Sequence, residues 1–322
     1  MLNFSTLFNY KYLANGLLLY ESLSRNLKNF KLYVFTFDKL TYEFLKSENL
    51  KNLIVIKLKD FEDKDLLKIK KNRTLTEYFW TCTGSTILYL FKKKKIKECI
   101  YVDADIFFFD NPTKILKRIK DKSCIITRHN YSKEYDQTLT NGKYCVQFIY
   151  FKNDKFGRQI LKDWRQECLN WCFNRVEDGK FGDQKYLDKW PKKYSPHVTV
   201  SQNVGAGIAP WNSNDYRFLK LNDKVKILNY KKKRSDLIFY HFHELKFYSK
   251  KLIYIGNYKI NKYCYNLVYR NYIIKYLDIL YKLNKTKYFK NSNFFDDFGS
   301  GKSMIINLFK LIKNLKNIKL KT

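Results

Sequence analysis

Short runs of β-branched and aromatic residues alternate in this chain with stretches of helical spacing, and this alternation limits the possible folds most strongly. The strand-like runs are 32–37, 53–58, 99–102, 124–127 and 146–151. The helix-like stretches are 13–27, 75–91 and 157–173. Strands that alternate with helices predict an α/β fold of βαβ units, with a mostly parallel, Rossmann-like sheet and helices on both faces.

The first residues continue this pattern. Residues 2–7 are predicted to form the first strand, so Phe8 and Asn9 stand at its carboxyl end. Because ligands of such sheets bind in the crevice at the carboxyl ends of the strands, we expect Phe8 and Asn9 to contact a bound cofactor or donor.

The composition changes near Gly256, where helical spacing and basic residues replace the strand pattern. From there to the end, 14 Lys and Arg stand against three Asp. We therefore predict a main domain at 1–255 and a basic helical extension at 256–322. Residues 304–320 form an amphipathic pattern with lysines on one side, which suits either a helix lying in a membrane interface or one packed on the main domain.

Charge and cysteines limit the partners and the compartment. A net charge of +33 admits nucleic acid, an anionic membrane surface or an acidic small-molecule substrate. The seven cysteines form no CxxC pair and lie mostly in apolar runs, which predicts buried thiols in a reducing compartment. With no signal-peptide pattern and no apolar run of about 18–20 residues, we expect a cytoplasmic protein with peripheral contact to the inner membrane face as a further option.

The segment 98–112, ECIYVDADIFFFDNP, carries the strongest chemical signal. Asp103 and Asp105 flank Ala104 where a buried strand should end, so their carboxylates can converge on one hard cation. Mn²⁺ or Mg²⁺ accepts such oxygens and keeps sites for the oxygens of a diphosphate. The ion then neutralises charge on a departing nucleoside diphosphate.

This segment resembles the DxD motif of the GT-A fold nucleotide-sugar transferases, particularly those similar to glycosyltransferase family eight and to bacterial lipopolysaccharide and capsule sugar transferases. Three later segments resemble the same enzymes in the same order, namely 141–153 (NGKYCVQFIYFKN), 177–191 (EDGKFGDQKYLDKWP) and 203–212 (NVGAGIAPWN). The resemblance implies a GT-A fold and hexose transfer from a UDP-sugar or similar donor. It also implies a glycan or lipid-linked glycan acceptor.

The resemblance also implies site residues. Asp183 and Gln184 match the motif that binds the transferred sugar and lies near its anomeric carbon, which favours a retaining reaction. An inverting reaction would need a carboxylate base, for which Asp183 or Glu177 is available. A third metal ligand is expected at His241, with His243 as second choice.

Gly205 and Gly207 are expected to let the backbone approach a ligand or another strand closely. Trp211 is either a platform for a sugar ring or a core residue.

One departure keeps rival interpretations open. Cys145 and Gln147 stand where relatives would have Asn and Gly, so the chain could be an inactive relative that serves as a binding or structural partner. The other rival is a basic nucleic-acid-binding protein. It lacks any zinc spacing or RNA-recognition signature and leaves Asp103 and Asp105 unexplained, so no nucleic acid is expected.

Overall fold

The computed structural model describes residues 1–296 apart from positions 118, 120, 231 and 291. The predicted amphipathic helix at 304–320 lies outside the described residues. The strands are β1 (Leu2–Phe8), β2 (Phe30–Thr36), β3 (Leu53–Lys57), β4 (Glu98–Val102), β5 (Ile106–Phe108), β6 (Cys124–Arg128), β7 (Tyr144–Lys152), β8 (Val198–Val200), β9 (Tyr216–Leu221), β10 (Lys224–Asn229), β11 (Arg234–Asp236), β12 (Phe239–His241), β13 (Leu245–Phe247) and β14 (Ile253–Ile255).

The α-helices are α1 (Leu13–Asn26), α2 (Lys39–Glu48), α3 (Leu58–Phe61), α4 (Lys64–Lys70), α5 (Leu75–Tyr89), α6 (Thr138–Asn141), α7 (Lys155–Asn170), α8 (Trp190–Lys193), α9 (Lys262–Cys264) and α10 (Arg270–Asn284). Short 3₁₀ turns cover Tyr10–Tyr12, Pro112–Ile115, Lys133–Tyr135, Lys185–Lys189 and Ser213–Asp215. One π-helical turn, Leu90–Lys94, extends α5, and another, Tyr265–Tyr269, joins α9 to α10.

A seven-stranded sheet in the order β3-β2-β1-β4-β7-β6-β8 forms the centre of the fold. Strand β7 is antiparallel to both of its neighbours, while the other neighbouring pairs are parallel. The predicted α/β fold with a mostly parallel sheet is therefore confirmed. Its central strands are β1 and β4, whose carboxyl ends lie side by side.

Side-chain alternation along the strands divides the core between the two faces of this sheet. In β4, Ile100 and Val102 belong to the cluster that contains α1, whereas Cys99 and Tyr101 belong to the cluster that contains α5 and α7. Such a period of two is what a strand buried on both faces requires. All seven cysteines are free and buried, in agreement with the sequence-based expectation of buried thiols.

Local sequence explains where the main helices begin. Thr74 and Glu77 form a capping box at the start of α5. Asp154 caps α7 by accepting from the N–H of Gly157. The start of α7 also needs a glycine, since a Cβ at Gly157 would lie 2.0 Å from the carbonyl oxygen of Lys152.

Residues beyond Gly256 pack against the N-terminal part of the chain. The Nδ2 of Asn15 on α1 donates to the hydroxyl of Tyr272 on α10 (2.9 Å). The Nζ of Lys11 donates to the carbonyls of Asn293 (2.8 Å) and Phe295 (3.0 Å). Within the part of the chain that the structure describes, no helix has the length and apolarity that crossing a membrane requires.

Candidate active site

The acidic pair lies in the connection between β4 and β5. Asp103 directly follows β4, and Asp105 directly precedes β5. The N–H of Asp103 donates to the carbonyl of Gln147 on β7 (3.2 Å), and the N–H of Phe242 donates to the carbonyl of Asp105 (2.9 Å). The backbone of both aspartates is therefore held by neighbouring segments, which fixes the directions of their side chains.

His241, the last residue of β12, completes the cluster. Pairing of β12 with β5 places it opposite Ile106, next to the acidic pair. Its Nε2 lies 3.1 Å from Oδ1 of Asp105 and 3.9 Å from Oδ2 of Asp103. One ligand atom from each of these three residues lies within 4.8 Å of the others. Two carboxylate oxygens and one imidazole nitrogen thus converge on a small volume.

This donor set fits a divalent cation. Carboxylate oxygens suit both Mn²⁺ and Mg²⁺, while an imidazole nitrogen suits Mn²⁺ better. The side chains of Asp103 and Asp105 are 29% and 18% exposed, whereas that of His241 is only 6% exposed. The carboxylates therefore face an opening through which a charged ligand can reach the ion.

The electrostatics also favour a cation. Burial raises the pKa of Asp103 to about 6, with His241 opposing the shift and Asp105 adding to it. Burial also disfavours charge on Asp105, but the charge and hydrogen bond of His241 outweigh it and lower the pKa of that carboxyl. Burial would lower the pKa of His241, yet the charge of Asp105 raises it well above its ordinary value. The imidazolium therefore supplies positive charge that a bound metal ion would replace.

Asp183 lies close to this cluster and is 5% exposed. Burial, followed by the charge of Asp103, raises the pKa of Asp183 to about 8. The Thr83 hydroxyl on α5 opposes this rise in pKa in part, while Oδ2 finds no hydrogen-bond partner among the residues that the structure describes. The Nε1 of Trp164 on α7 donates to the carbonyl of Asp183 (2.8 Å) and so fixes its backbone.

Gln184 links Asp183 to the other side of the site. The thiol of Cys145 on β7 lies 3.9 Å from Oε1 of Gln184, and the same thiol lies close enough to His241 to contribute to the raised pKa of that ring. Burial lowers the pKa of the neighbouring His129 to about 3, so that ring is neutral, and its Nδ1 lies 3.0 Å from the carbonyl oxygen of Gly142. The structure therefore places Asp183 and Gln184 beside the predicted metal ligands.

The two residues predicted at the end of the first strand have different environments. Phe8 is 1% exposed and belongs to the core. Its ring lies so close to Gly16 that a Cβ added at Gly16 would be only 2.3 Å from Cζ of Phe8. Its side chain thus packs under α1, away from the surface that a ligand reaches. Asn9 is partly buried, and its Oδ1 has no hydrogen-bond partner within the described part of the chain.

The predicted glycines serve close backbone packing. A Cβ at Gly205 would lie 1.8 Å from the carbonyl oxygen of Asp236, so Gly205 allows two chain segments to meet. Gly207 has a φ of +100°, and a Cβ there would lie 3.1 Å from Nε2 of Gln147. Ala104, between the two aspartates, is 7% exposed and packs in the core, so only its backbone is near the cleft.

Of the remaining predicted residues, His243 and Trp211 lie beside His241, whereas Glu177 is bound to residues of its own loop. The ring centroid of His243 lies 5.6 Å from that of His241, but His243 is not among the three residues whose ligand atoms converge. Trp211 is buried, with its ring 5.5 Å from His241. The carboxylate of Glu177 accepts from Nε1 of Trp171 (3.0 Å) and Nε of Arg175 (2.6 Å).

Sequence reasoning missed two residues of the site. Tyr101 lies close enough to Asp103 to lower the pKa of that carboxyl, and the period of two along β4 places both on one face, so this proximity could have been inferred. Tyr12, in the turn after β1, is 47% exposed, while burial of its hydroxyl and the charge of Asp105 raise its pKa. Tyr12 therefore presents an aromatic ring at the edge of the acidic cluster.

Comparison with known proteins gives matches along most of the chain. A sequence model of the nucleotide-diphospho-sugar transferase family matches residues 29–231. The uncharacterized protein YfnD of Bacillus subtilis is 30% identical over 247 residues, covering 74% of this chain and 76% of YfnD. Mouse xyloside xylosyltransferase 1 in its apo form is 12% identical with a TM-score of 0.48, covering 76% of this chain and 98% of that structure. An active-site variant of LgtC is 13% identical with a TM-score of 0.49, covering 75% and 87%.

Proposed function

Because the chain belongs to the nucleotide-diphospho-sugar transferase family, we propose that it is a metal-dependent glycosyltransferase that moves a hexose from a nucleotide-diphosphate sugar, preferentially a UDP-sugar, to a surface-glycan acceptor. The observation that carries the metal dependence is the convergence of Asp103, Asp105 and His241, whose ligand atoms lie within 4.8 Å of one another. This cluster stands at the carboxyl end of β4, where the ligands of such sheets bind.

Asp103, Asp105 and His241 would hold Mn²⁺ or Mg²⁺. When bound, the ion supplies positive charge that stabilises the departing nucleoside diphosphate. The ligand atoms of the three side chains lie within 4.8 Å of one another, and Tyr101 lies beside Asp103. Such preorganisation reduces the cost of assembling the site during the reaction.

Donor binding involves the end of β1 as well as the cation site. Tyr12 offers an exposed ring beside the cluster, which suits stacking on the base of a nucleotide. The Oδ1 of Asn9, at the same strand end, is buried and has no hydrogen-bond partner among the described residues, so it can accept from an N–H or O–H group of a donor that reaches it. We therefore assign nucleotide recognition to Asn9 and Tyr12 and treat Phe8 as their support from the core.

Asp183 and Gln184 would bind the transferred sugar. At neutral pH and without metal the Asp183 carboxyl is protonated, so it can donate to a sugar oxygen, while its buried Oδ2 has no hydrogen-bond partner among the described residues. The Gln184 amide lies next to it and is a poor nucleophile. These properties favour a retaining displacement over an inverting one that uses Asp183 as its base.

The acceptor would bind beside Gln184, where a group of aromatic side chains packs around Cys145. Trp211 and Tyr258 are buried members of this group, and Tyr131 and Tyr135 pack against them. The partly buried rings of Tyr131 and Tyr135 offer aromatic faces that suit the apolar faces of sugar rings. A lipid-linked acceptor at an anionic membrane agrees with the net charge of +33.

Binding measurements test the donor and the metal together. We expect UDP-sugars to raise the melting temperature in the presence of Mn²⁺ and to do so far less in EDTA. Asp105→Ala should abolish both this shift and transfer while the fold is kept. Glu48→Ala is the control, because Glu48 is an exposed carboxylate at the end of α2. Parent-like turnover by Asp105→Ala would refute the metal assignment.

The membrane contact needs its own test. Deleting residues 303–322 should weaken sedimentation with anionic vesicles and leave hydrolysis of soluble donor unchanged. If the full-length chain and the chain that lacks residues 303–322 sediment equally with anionic vesicles, the proposed membrane contact is wrong.

A further inference from the structure

Gln147 is a buried amide in the middle of an apolar strand. It lies on β7 between Val146 and Phe148 and is 0% exposed. An amide in such surroundings is costly unless its polar atoms are hydrogen-bonded. Its Nε2 has no hydrogen-bond partner among the described residues, so the contacts of its two oxygen atoms indicate why a polar residue stands at this position.

Both ligand-bearing segments contact Gln147. Its carbonyl oxygen accepts from the N–H of Asp103 (3.2 Å), and its side-chain Oε1 lies 2.8 Å from Nδ1 of His241. From the same ring, Nε2 lies 3.1 Å from Oδ1 of Asp105. One residue thus bridges the segment that carries the acidic pair and the strand that carries the histidine.

We propose that Gln147 is the positioning residue of the metal site, which holds His241 so that Nε2 is the ligand atom. An amide oxygen can only accept, so it requires a hydrogen on Nδ1. A neutral ring with its hydrogen on Nδ1 has its lone pair on Nε2, on the side of the carboxylates. The contact therefore selects both the tautomer and the orientation of the ring. This inference rests on the proposed function, since it concerns the same site.

Gly207 leaves room for this amide. A Cβ at Gly207 would lie 3.1 Å from Nε2 of Gln147 and equally close to the carbonyl oxygen of Arg128, so the amide would have to shift. Since Oε1 and Nε2 belong to one planar group, such a shift would move Oε1 relative to His241. The need for glycine at 207 follows in part from the position of Gln147.

The first test measures Mn²⁺ affinity by calorimetry, without donor or acceptor. Gln147→Leu removes the acceptor at similar size, and we expect it to weaken Mn²⁺ binding by roughly 10- to 100-fold. Gln147→Glu keeps an acceptor at the same place and should retain affinity near that of the parent. Thr127→Val, a buried polar-to-apolar change on the neighbouring strand β6, controls for general loss of packing.

Parent-like Mn²⁺ affinity in folded Gln147→Leu would overturn the inference, as would equal losses in the Leu and Glu variants. No Mn²⁺ binding by the parent would instead overturn the proposed function, so the two failures are distinguishable.

A second measurement needs no variant at position 147. In the parent loaded with Mg²⁺, which is diamagnetic, a long-range ¹H–¹⁵N spectrum reports the tautomer of each histidine, and His241→Asn identifies the signals of His241. A neutral ring with its hydrogen on Nδ1 supports the proposal. A hydrogen on Nε2 overturns it.

Discussion

Asp183 gives the sharpest quantitative prediction, because its carboxyl is buried without a cationic partner in the described structure. Its pKa is about 8 in the folded protein against an ordinary 3.8, a difference of about 4 units. At about 1.4 kcal/mol per unit, complete ionisation costs the fold about 5–6 kcal/mol as an upper bound. Asp183→Asn has nearly the same shape and cannot ionise, so it avoids this cost.

The sign follows from proton linkage. The folded pKa is raised, so the stability that depends on a protonated Asp183 is fully present below about pH 4 and is lost as pH rises through about 8. Near pH 4 the free energy of unfolding of Asp183→Asn should therefore equal that of the parent. At pH 7 the free energy of unfolding of the variant should exceed that of the parent by up to about 4 kcal/mol, and the difference should be slightly larger above pH 8. The same variant should lose transfer activity.

Urea unfolding of the metal-free protein in EDTA, repeated across this pH range, measures the effect. Asp188→Asn is the matched control, since Asp188 accepts from the N–H of Lys143 (2.7 Å) and pairs with Lys185 (3.1 Å), so its neutralisation should destabilise. Added Mn²⁺ should narrow the gap between Asp183→Asn and the parent, because a cation favours the ionised carboxyl. A difference in unfolding free energy between Asp183→Asn and the parent that does not change with pH in EDTA would refute the raised pKa of Asp183.

Two further predictions concern the scaffold. Lys114→Met should lower the free energy of unfolding by about 2–3 kcal/mol at neutral pH, because Nζ of Lys114 bridges Asp110 (2.6 Å) and Asp236 (2.5 Å). Urea unfolding should show this loss shrinking toward pH 2, where the two carboxyl groups, whose pKa values are lowered, become protonated. Gly16→Ala should cost about 1–3 kcal/mol through crowding of Phe8, which would lie 2.3 Å from the new Cβ; an unchanged urea midpoint would contradict that packing.

Much of the fold could be predicted because it depends on local periodicity. The apolar runs that indicated strands became β2, β3, β4, β6 and β7, with ends shifted by a few residues. The predictions of an α/β fold with a mostly parallel sheet and of a nucleotide-sugar transferase family are confirmed. Local patterns did not indicate that β7 would run antiparallel to β4, because that direction depends on contacts between distant segments.

Site residues could be predicted where a sequence motif lies at the end of a strand. They were harder to predict where contacts between distant segments determine the position of a side chain. Asp103 and Asp105 converge with His241 because β5 pairs with β12 across more than a hundred residues, a pairing that no local pattern indicates. Phe8 was assigned to the crevice from its place at a strand end, but strand alternation directs its ring into the core. Tyr12 was missed because a single aromatic residue in a turn carries no periodic signal.

The position of β1 in the middle of the sheet has a practical consequence for cutting the chain. The segment matched by the family model starts at residue 29 and ends at 231, so a fragment with those limits would lack β1 and β12. Without β1, strands β2 and β4 would each expose an unpaired edge, and exposed edges recruit other chains. Such an excised fragment should therefore aggregate, and it would also lack His241.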